Sequence, residues 1–364
     1  MDKNKQDTYF EFLRFCVDPK GEVPECSKDI VWHDLLDFAI KQRIVGIFFY
    51  GMERMVEHEN KPIDEDVMEW FYHSNKIRKK NVLLYETCAF VSKTFRSEGF
   101  RNCILKGQGN ALRYPDPYIR MSGDIDVWLD GGCSKVIRYV KDNVPMARAV
   151  YHHIEFRKVK GIDVEAHYRP SFLNNMIANH RLQKYFKEET DRQFGNVMTL
   201  PGGVKQMSVP TTDFDRIFQM VHISNHFFHE GIGLRQFLDY FFVLNQGFSN
   251  AERDHDAGMF RRLGLYGFAG AVMYVEQVAF GLPESLLIVP VDEKRGRFLL
   301  EEIICAGNFG QYDKRPGSKV KSGPLKKNLQ RLYRDMRFVC YFPSESLWEP
   351  VFRLWHFFWR TFNA

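Results

Sequence analysis

Paired cysteines, a long apolar run and a marked excess of charge are all missing, and each absence removes a class of protein. The seven cysteines (Cys16, Cys26, Cys88, Cys103, Cys133, Cys305 and Cys340) are odd in number, and no two are spaced as a CxxC pair. That argues against a zinc ribbon or a disulfide framework and for a reducing compartment. The longest apolar stretch, Ile44 to Met52, is far shorter than the roughly 18 to 20 residues of a membrane span. The opening MDKNKQDTYFEFLRF has no long apolar core and no small-residue cleavage site, so no secretory signal is expected and a cytoplasmic location is. The formal charge is only +5, which permits an anionic partner such as a nucleotide or RNA but does not argue for nucleic acid. Internal repeats and low-complexity tracts are also missing. With 45% hydrophobic and 27% charged residues, disordered, collagen-like and coiled-coil chains are excluded.

What is present divides into three textures. Residues 1–100 read as helices: apolar residues recur at three- and four-residue steps through Val31 to Ile40. A second helical pattern opens with Asp64-Glu65-Asp66 and runs past Trp70 to Phe90. Residues 101–210 read as mixed α/β. Asn102 to Leu105 is a short strand, Gln108 to Tyr114 a helix, Tyr114 to Pro117 a turn, Gly123 to Leu129 a strand, and Ser134 to Asp142 a helix. Ala149 to Lys158 and Ile162 to Tyr168 read as two strands joined at Lys160-Gly161. Residues 211–364 return to helices, at Asp213 to His229, Leu234 to Leu244, Ala257 to Phe280 and Asp292 to Ala306. Gly307 to Pro324 reads as a flexible basic loop, and the tail alternates Arg and Lys with aromatics. The fold expected is α+β, a small mixed-sheet core flanked by N- and C-terminal helical regions.

Chemistry concentrates between residues 100 and 170. In Gly123-Asp124-Ile125-Asp126, a strand would project Asp124 and Asp126 side by side, since residues two apart share a face. Adjacent carboxylates repel, and a hard divalent cation such as Mg²⁺ relieves that cost. Lys106-Gly107 ends a strand and precedes a helix, where free N–H groups and a positive charge suit phosphate. In Ile162 to His167, Asp163, Glu165 and His167 share one face. One of these carboxylates would complete a metal site or serve as a general base.

Together these pieces resemble the polymerase-β-like nucleotidyltransferases, and more closely an uncharacterised bacterial nucleotidyltransferase family. The resemblance rests on Ile104-Leu105-Lys106-Gly107, Tyr114-Pro115-Asp116-Pro117, Arg120, Gly123-Asp124-Ile125-Asp126 and Glu165-Ala166-His167-Tyr168. Two positions depart from the superfamily pattern: Gly107-Gln108 replaces a glycine-glycine or glycine-serine pair, and the third acid is Glu rather than Asp.

The resemblance implies transfer of a nucleoside monophosphate from an NTP to a hydroxyl, releasing pyrophosphate, with two Mg²⁺ (or Mn²⁺) ions. Asp124, Asp126 and Glu165 are the expected catalytic and metal-holding residues, with Asp163 as the alternative third ligand. Lys106, Gly107, Gln108, Arg120, Ser122 and Gly123 are the expected nucleotide contacts. Arg120 either neutralises phosphate or pairs with Asp116 or Asp124. The acceptor (small molecule, protein or RNA) is open. Two rival readings remain. One is a non-catalytic nucleotide- or RNA-binding protein of this fold. The other is a toxin-like RNA-modifying transferase, suggested by the basic segment Lys314 to Lys327.

Three weaker features stand outside this constellation. His222 and His226 have the i, i+4 spacing of a metal pair but lack the HExxH glutamate, so a structural cluster with Asn225 and His229 is expected. Arg235 and Asp239 are expected to form a helix salt bridge. Phe352 to Arg360 either packs as a last core helix or touches a membrane surface.

Overall fold

Caps and acidic first turns start the helices where the sequence provides them. Asp2 accepts the Asn4 N–H at 2.9 Å and opens α1 (Lys3–Val17). Then come α2 (Trp32–Gln42), α3 (Val45–Glu53) and α4 (Asp64–Ser97), the last beginning with its three acids. The structure is a computed structural model that describes residues 2–203, 205–313, 315 and 324–363. The helical first hundred residues match the periodicity. Gly46 lets α3 lie against the Ile119 carbonyl, which any Cβ at that position would meet.

The α/β segment comprises β1 (Asn102–Leu105), α5 (Gly107–Ala111), β2 (Ile125–Leu129), α6 (Gly132–Asn143), β3 (His153–Glu155) and β4 (Val164–His167). The sheet order is β1-β2-β4-β3. β1 and β2 run antiparallel, β2 and β4 parallel, and β3 and β4 antiparallel, so the sheet is mixed. Alternation sorts its faces. Ile125, Val127 and Leu129 join Val164 and Ala166 in a core closed by α4 and α6. Trp128 belongs to the other core, against Phe186, Phe194 and Phe214. Asp126, two residues before Trp128, shares its face.

The chain continues through α7 (Met176–Gly195), capped by Asn175, and a hairpin of β5 (Val197–Thr199) and β6 (Gln206–Ser208). α8 (Thr212–His229), α9 (Leu234–Leu244), α10 (Asn250–Arg262), α11 (Tyr266–Phe280) and α12 (Glu293–Ala306) follow. α13 (Pro324–Val339) and α14 (Pro343–Asn363) complete the order. Apolar residues of α1, α2 and α3 share one core with those of α8, α9 and α11.

Four expectations are corrected. The single helix read from Ala257 to Phe280 is two, because Gly264 adopts φ +71° between α10 and α11. The helix after Gly107 ends at Ala111 rather than Tyr114. The strand expected from Ala149 is interrupted: Val150 N–H donates to the His153 carbonyl, and only His153–Glu155 pairs with β4. β2 begins at Ile125, so Asp124 precedes the strand instead of lying within it.

Of the basic loop at 307–324, Asn308–Gly310 is a short 3₁₀ turn. Lys314 and residues 316–323, which carry much of the Lys314 to Lys327 segment, lie outside the described residues. α14 packs through Phe352 against Phe172 and Tyr151, while Leu347, Val351, Leu354 and Phe358 on another face are exposed. Among the described residues, no helix is long and apolar enough to cross a membrane.

Candidate active site

The parallel register of β2 and β4 sets Asp126 directly beside Glu165. The antiparallel register of β1 and β2 sets Leu105, the residue before Lys106, beside Asp126. Lys106 and Gly107 then bend the chain with φ of +49° and +46°. The left-handed form is free of cost at Gly107 but unfavourable by about 1 kcal/mol or more at a lysine. At this bend Lys106 Nζ lies 3.1 Å from Asp126 Oδ1. His167 Nε2 reaches the same oxygen at 2.8 Å and Glu165 Oε2 at 3.3 Å. His153 Nδ1 approaches Glu165 Oε2 at 3.2 Å.

These contacts assign the charges. Asp126 is only 4% exposed. Burial alone would raise its pKa, but Lys106 and His167 outweigh burial and hold it well below the carboxylate range. Burial also opposes the charge on His167, yet its bonds to Asp126 and Glu165 raise its pKa to about 9. Lys106 is raised likewise: Asp126, Asp124 and Glu165 override its burial. Burial and the charge of His167 push His153 down to about 4, and His152 falls well below its ordinary value for the same first reason. At neutral pH the floor therefore carries an anionic Asp126, cationic Lys106 and His167, and two neutral imidazoles.

This floor opens into a cleft of about 1220 Å³. Lys106, Gly107, Arg120, Gly123, Asp124, Asp126 and Glu165 line it, with Asp124 exposed. His222, Asn225 and His226 of α8 and Arg235 of α9 face it from the other side. Gln108 and Ser122 do not line it. The Gln108 amide donates to Asn81 at 3.1 Å, and the Ser122 hydroxyl accepts from Arg120 at 2.7 Å. Asp163 stands apart on the surface, paired with Lys158 at 3.1 Å.

Two pairings differ from the sequence reading. Arg120 pairs with neither Asp116 nor Asp124: its Nε and Nη2 donate to the two oxygens of Asp239 at 2.8 and 2.7 Å. Asp116 pairs instead with Arg78 at 2.6 Å. Arg235 is thereby deprived of the expected bridge to Asp239. It donates one bond to the Met121 carbonyl at 3.0 Å, and its Nε is buried without a partner. Burial and the neighbouring Arg120 lower its pKa to about 10, so it stays charged. The His222 and His226 rings meet edge to face at 4.3 Å, and His226 pairs with Glu230 at 3.2 Å. Among the described residues, no metal-holding donor group includes either ring.

The sequence reading overlooked His152 and His153. Two consecutive histidines one short hairpin away from His167 were the available signal.

A family model described as uncharacterised nucleotidyltransferase matches residues 28–281, more than half of the chain. Curated proteins include no match. Among solved structures, an antigenic nucleotidyltransferase-like protein from Paracoccidioides brasiliensis is 11% identical. The similarity covers 61% of this chain and 96% of that chain at a TM-score of 0.35, too distant to carry an argument about the site.

Proposed function

The chain belongs to the uncharacterised nucleotidyltransferase family, and from that premise we propose that it transfers a nucleoside monophosphate from an NTP to a hydroxyl acceptor, releasing pyrophosphate. The observation that carries this reading is the meeting of Asp126 and Glu165 across the β2–β4 register, beside Lys106 and below the exposed Asp124, on the floor of one cleft.

The donors fit Mg²⁺ or Mn²⁺ through Asp126 and Glu165, whose carboxylate oxygens lie within 4.8 Å of each other, while Asp124 lines the same cleft outside that group; hard cations take oxygen ligands. Asp124, Asp126 and Glu165 would hold the ions. When bound, such ions lower the pKa of an acceptor hydroxyl and steady a leaving pyrophosphate.

The rest is the work of side chains. Glu165, 27% exposed where Asp126 is nearly closed off, is the carboxylate that an acceptor hydroxyl reaches, and it takes the hydroxyl proton. His167, already protonated, holds Glu165 and Asp126 in place. Arg235, which lines the cleft and stays charged, binds a phosphate oxygen. Lys106 balances Asp126 and adds positive potential beside the Gly107 bend.

Incubation of the protein with each labelled NTP, Mg²⁺ and cell extract tests the reading. Label passing to protein, RNA or a small molecule, together with pyrophosphate release, identifies the acceptor class. Nucleotide binding without pyrophosphate release under any acceptor supports the rival, a non-catalytic nucleotide-binding protein.

A further inference from the structure

Behind the carboxylates, the hairpin of β3 and β4 gathers three imidazoles. His153 and His167 are directly opposite in its register. His152 precedes β3 and is pinned there, because its carbonyl accepts the N–H groups of both Tyr168 and Arg169 at 3.1 and 3.2 Å. Their donor atoms form an unbroken series. His152 Nε2 lies 3.1 Å from His153 Nδ1, which lies 3.2 Å from Glu165 Oε2, which lies 3.3 Å from His167 Nε2. One ligand atom from each of the three histidines falls within 4.8 Å of the others.

Single two-centre hydrogen bonds do not account for the crowding of this arrangement. A ring nitrogen carries one proton or one lone pair, not both. Yet His153 Nδ1 has two neighbours at bonding distance, His152 and Glu165, and His167 Nε2 has two, Asp126 and Glu165. The spacing is instead that of ligands around one ion. Two donors bound at about 2.1 Å and at tetrahedral or octahedral angles lie roughly 3.0 to 3.4 Å apart. The outer nitrogen of His167 is also positioned as metal-bound histidines usually are, 3.3 Å from the Arg169 carbonyl, which leaves Nε2 facing the other donors.

We propose that His152, His153 and His167 form an imidazole site for a transition-metal dication of the Zn²⁺ class, the ion taking the place of the Nε2 proton that His167 otherwise carries; the site adjoins the carboxylate group of Asp126 and Glu165, which meets it at His167. Three imidazole nitrogens suit a borderline ion; Mg²⁺ takes oxygen and water. Asp126 Oδ1, 2.8 Å from His167 Nε2, stands at the edge of the site and links it to the catalytic carboxylates. A role for the ion in transfer rests on the reading of the cleft given above; its binding does not.

The test is metal binding by the full-length protein after chelator treatment, without nucleotide. Titration calorimetry with Zn²⁺ is expected to show one tight equivalent that excess Mg²⁺ does not displace. Co²⁺ is expected to give the visible d–d band of nitrogen ligation. His152→Ala/His153→Ala is expected to weaken Zn²⁺ binding by at least about tenfold. His153→Gln keeps the side-chain bulk, and thermal melting establishes that each variant is folded. Asp124→Asn is expected to leave the Co²⁺ band in place.

No Zn²⁺ or Co²⁺ uptake by the wild-type protein, uptake unchanged in the folded histidine variants, or displacement by Mg²⁺ would each overturn the site. Zn²⁺ uptake without pyrophosphate release sinks the transferase reading and leaves this site standing. Release with Mg²⁺ and no Zn²⁺ uptake does the reverse.

Discussion

Arg120, in the loop before β2, and Asp239, in the middle of α9, are joined by two charge-assisted hydrogen bonds, although 119 residues separate them. Both are buried, and Tyr114 donates a third bond to Asp239 at 2.7 Å. The clasp fastens the loop bearing Ser122, Gly123 and Asp124 to the C-terminal helices. Removing one partner strands a buried charge, so Asp239→Ala is expected to cost about 3 to 5 kcal/mol, whereas Arg120→Met/Asp239→Leu is expected to recover much of it. Urea unfolding checks this. A single variant as stable as the wild type would show that the clasp is not holding the loop.

Asp126→Asn keeps the shape of the side chain but removes the charge opposite Lys106 and His167. If the proposed transfer occurs here, pyrophosphate release is expected to fall by about 10²- to 10⁴-fold, with Glu165→Gln in the same range. Turnover within a few-fold of wild type in both would relocate the chemistry.

Arg235 lines the cleft as a cation that Asp239 does not engage, as other basic side chains there also do. Arg235→Ala is expected to weaken NTP binding by about tenfold, the worth of roughly one charge-assisted hydrogen bond. Arg235→Lys should restore part of it. Equal NTP affinity in wild type and the Ala variant, measured by calorimetry, would remove Arg235 from phosphate binding.

Glu345 opens α14 and accepts the N–H groups of Asn174 at 2.9 Å and Asn175 at 3.4 Å. Burial outweighs these bonds and raises its pKa from 4.5 to about 7. A folded pKa above the unfolded one makes its contribution to stability greatest below the unfolded value. That contribution declines as pH rises from 4.5 to about 7 and is flat beyond. The span amounts to about 3 kcal/mol. Glu345→Gln should therefore gain on the wild type at alkaline pH and lose that gain in acid. Unfolding free energies of the two proteins differing by the same amount at both pH values would contradict the assignment.

Much of the site-bearing segment was legible because strand alternation is a local property. The acid–apolar patterns around Asp126 and Glu165 expose their period of two without reference to any partner, and the turn at Lys160-Gly161 announces the β3–β4 hairpin. The boundaries were less legible. Gly123 and Asp124 continue the alternation on paper, yet pairing begins at Ile125, where the N–H donates to the Asp163 carbonyl at 3.0 Å. The turn at His152 was hidden because no glycine or proline marks it. Arg235 and Asp239 have ideal helix spacing, and only a stronger, bidentate partner from elsewhere in the chain breaks their pairing.

The amino-acid order by itself determined the helical first hundred residues, the mixed α/β stretch after them, and that Asp126 and Glu165 turn away from the apolar face of their strands, since hydrophobic period and side-chain alternation act over a few residues. Tertiary structure decided which strand lies beside which, that Asp163 stays in solvent while Glu165 meets Asp126, and that Arg120 closes on Asp239 while three histidines converge. Those outcomes depend on burial and on partners distant in the chain, where desolvation selects the best-matched charge over the nearest one.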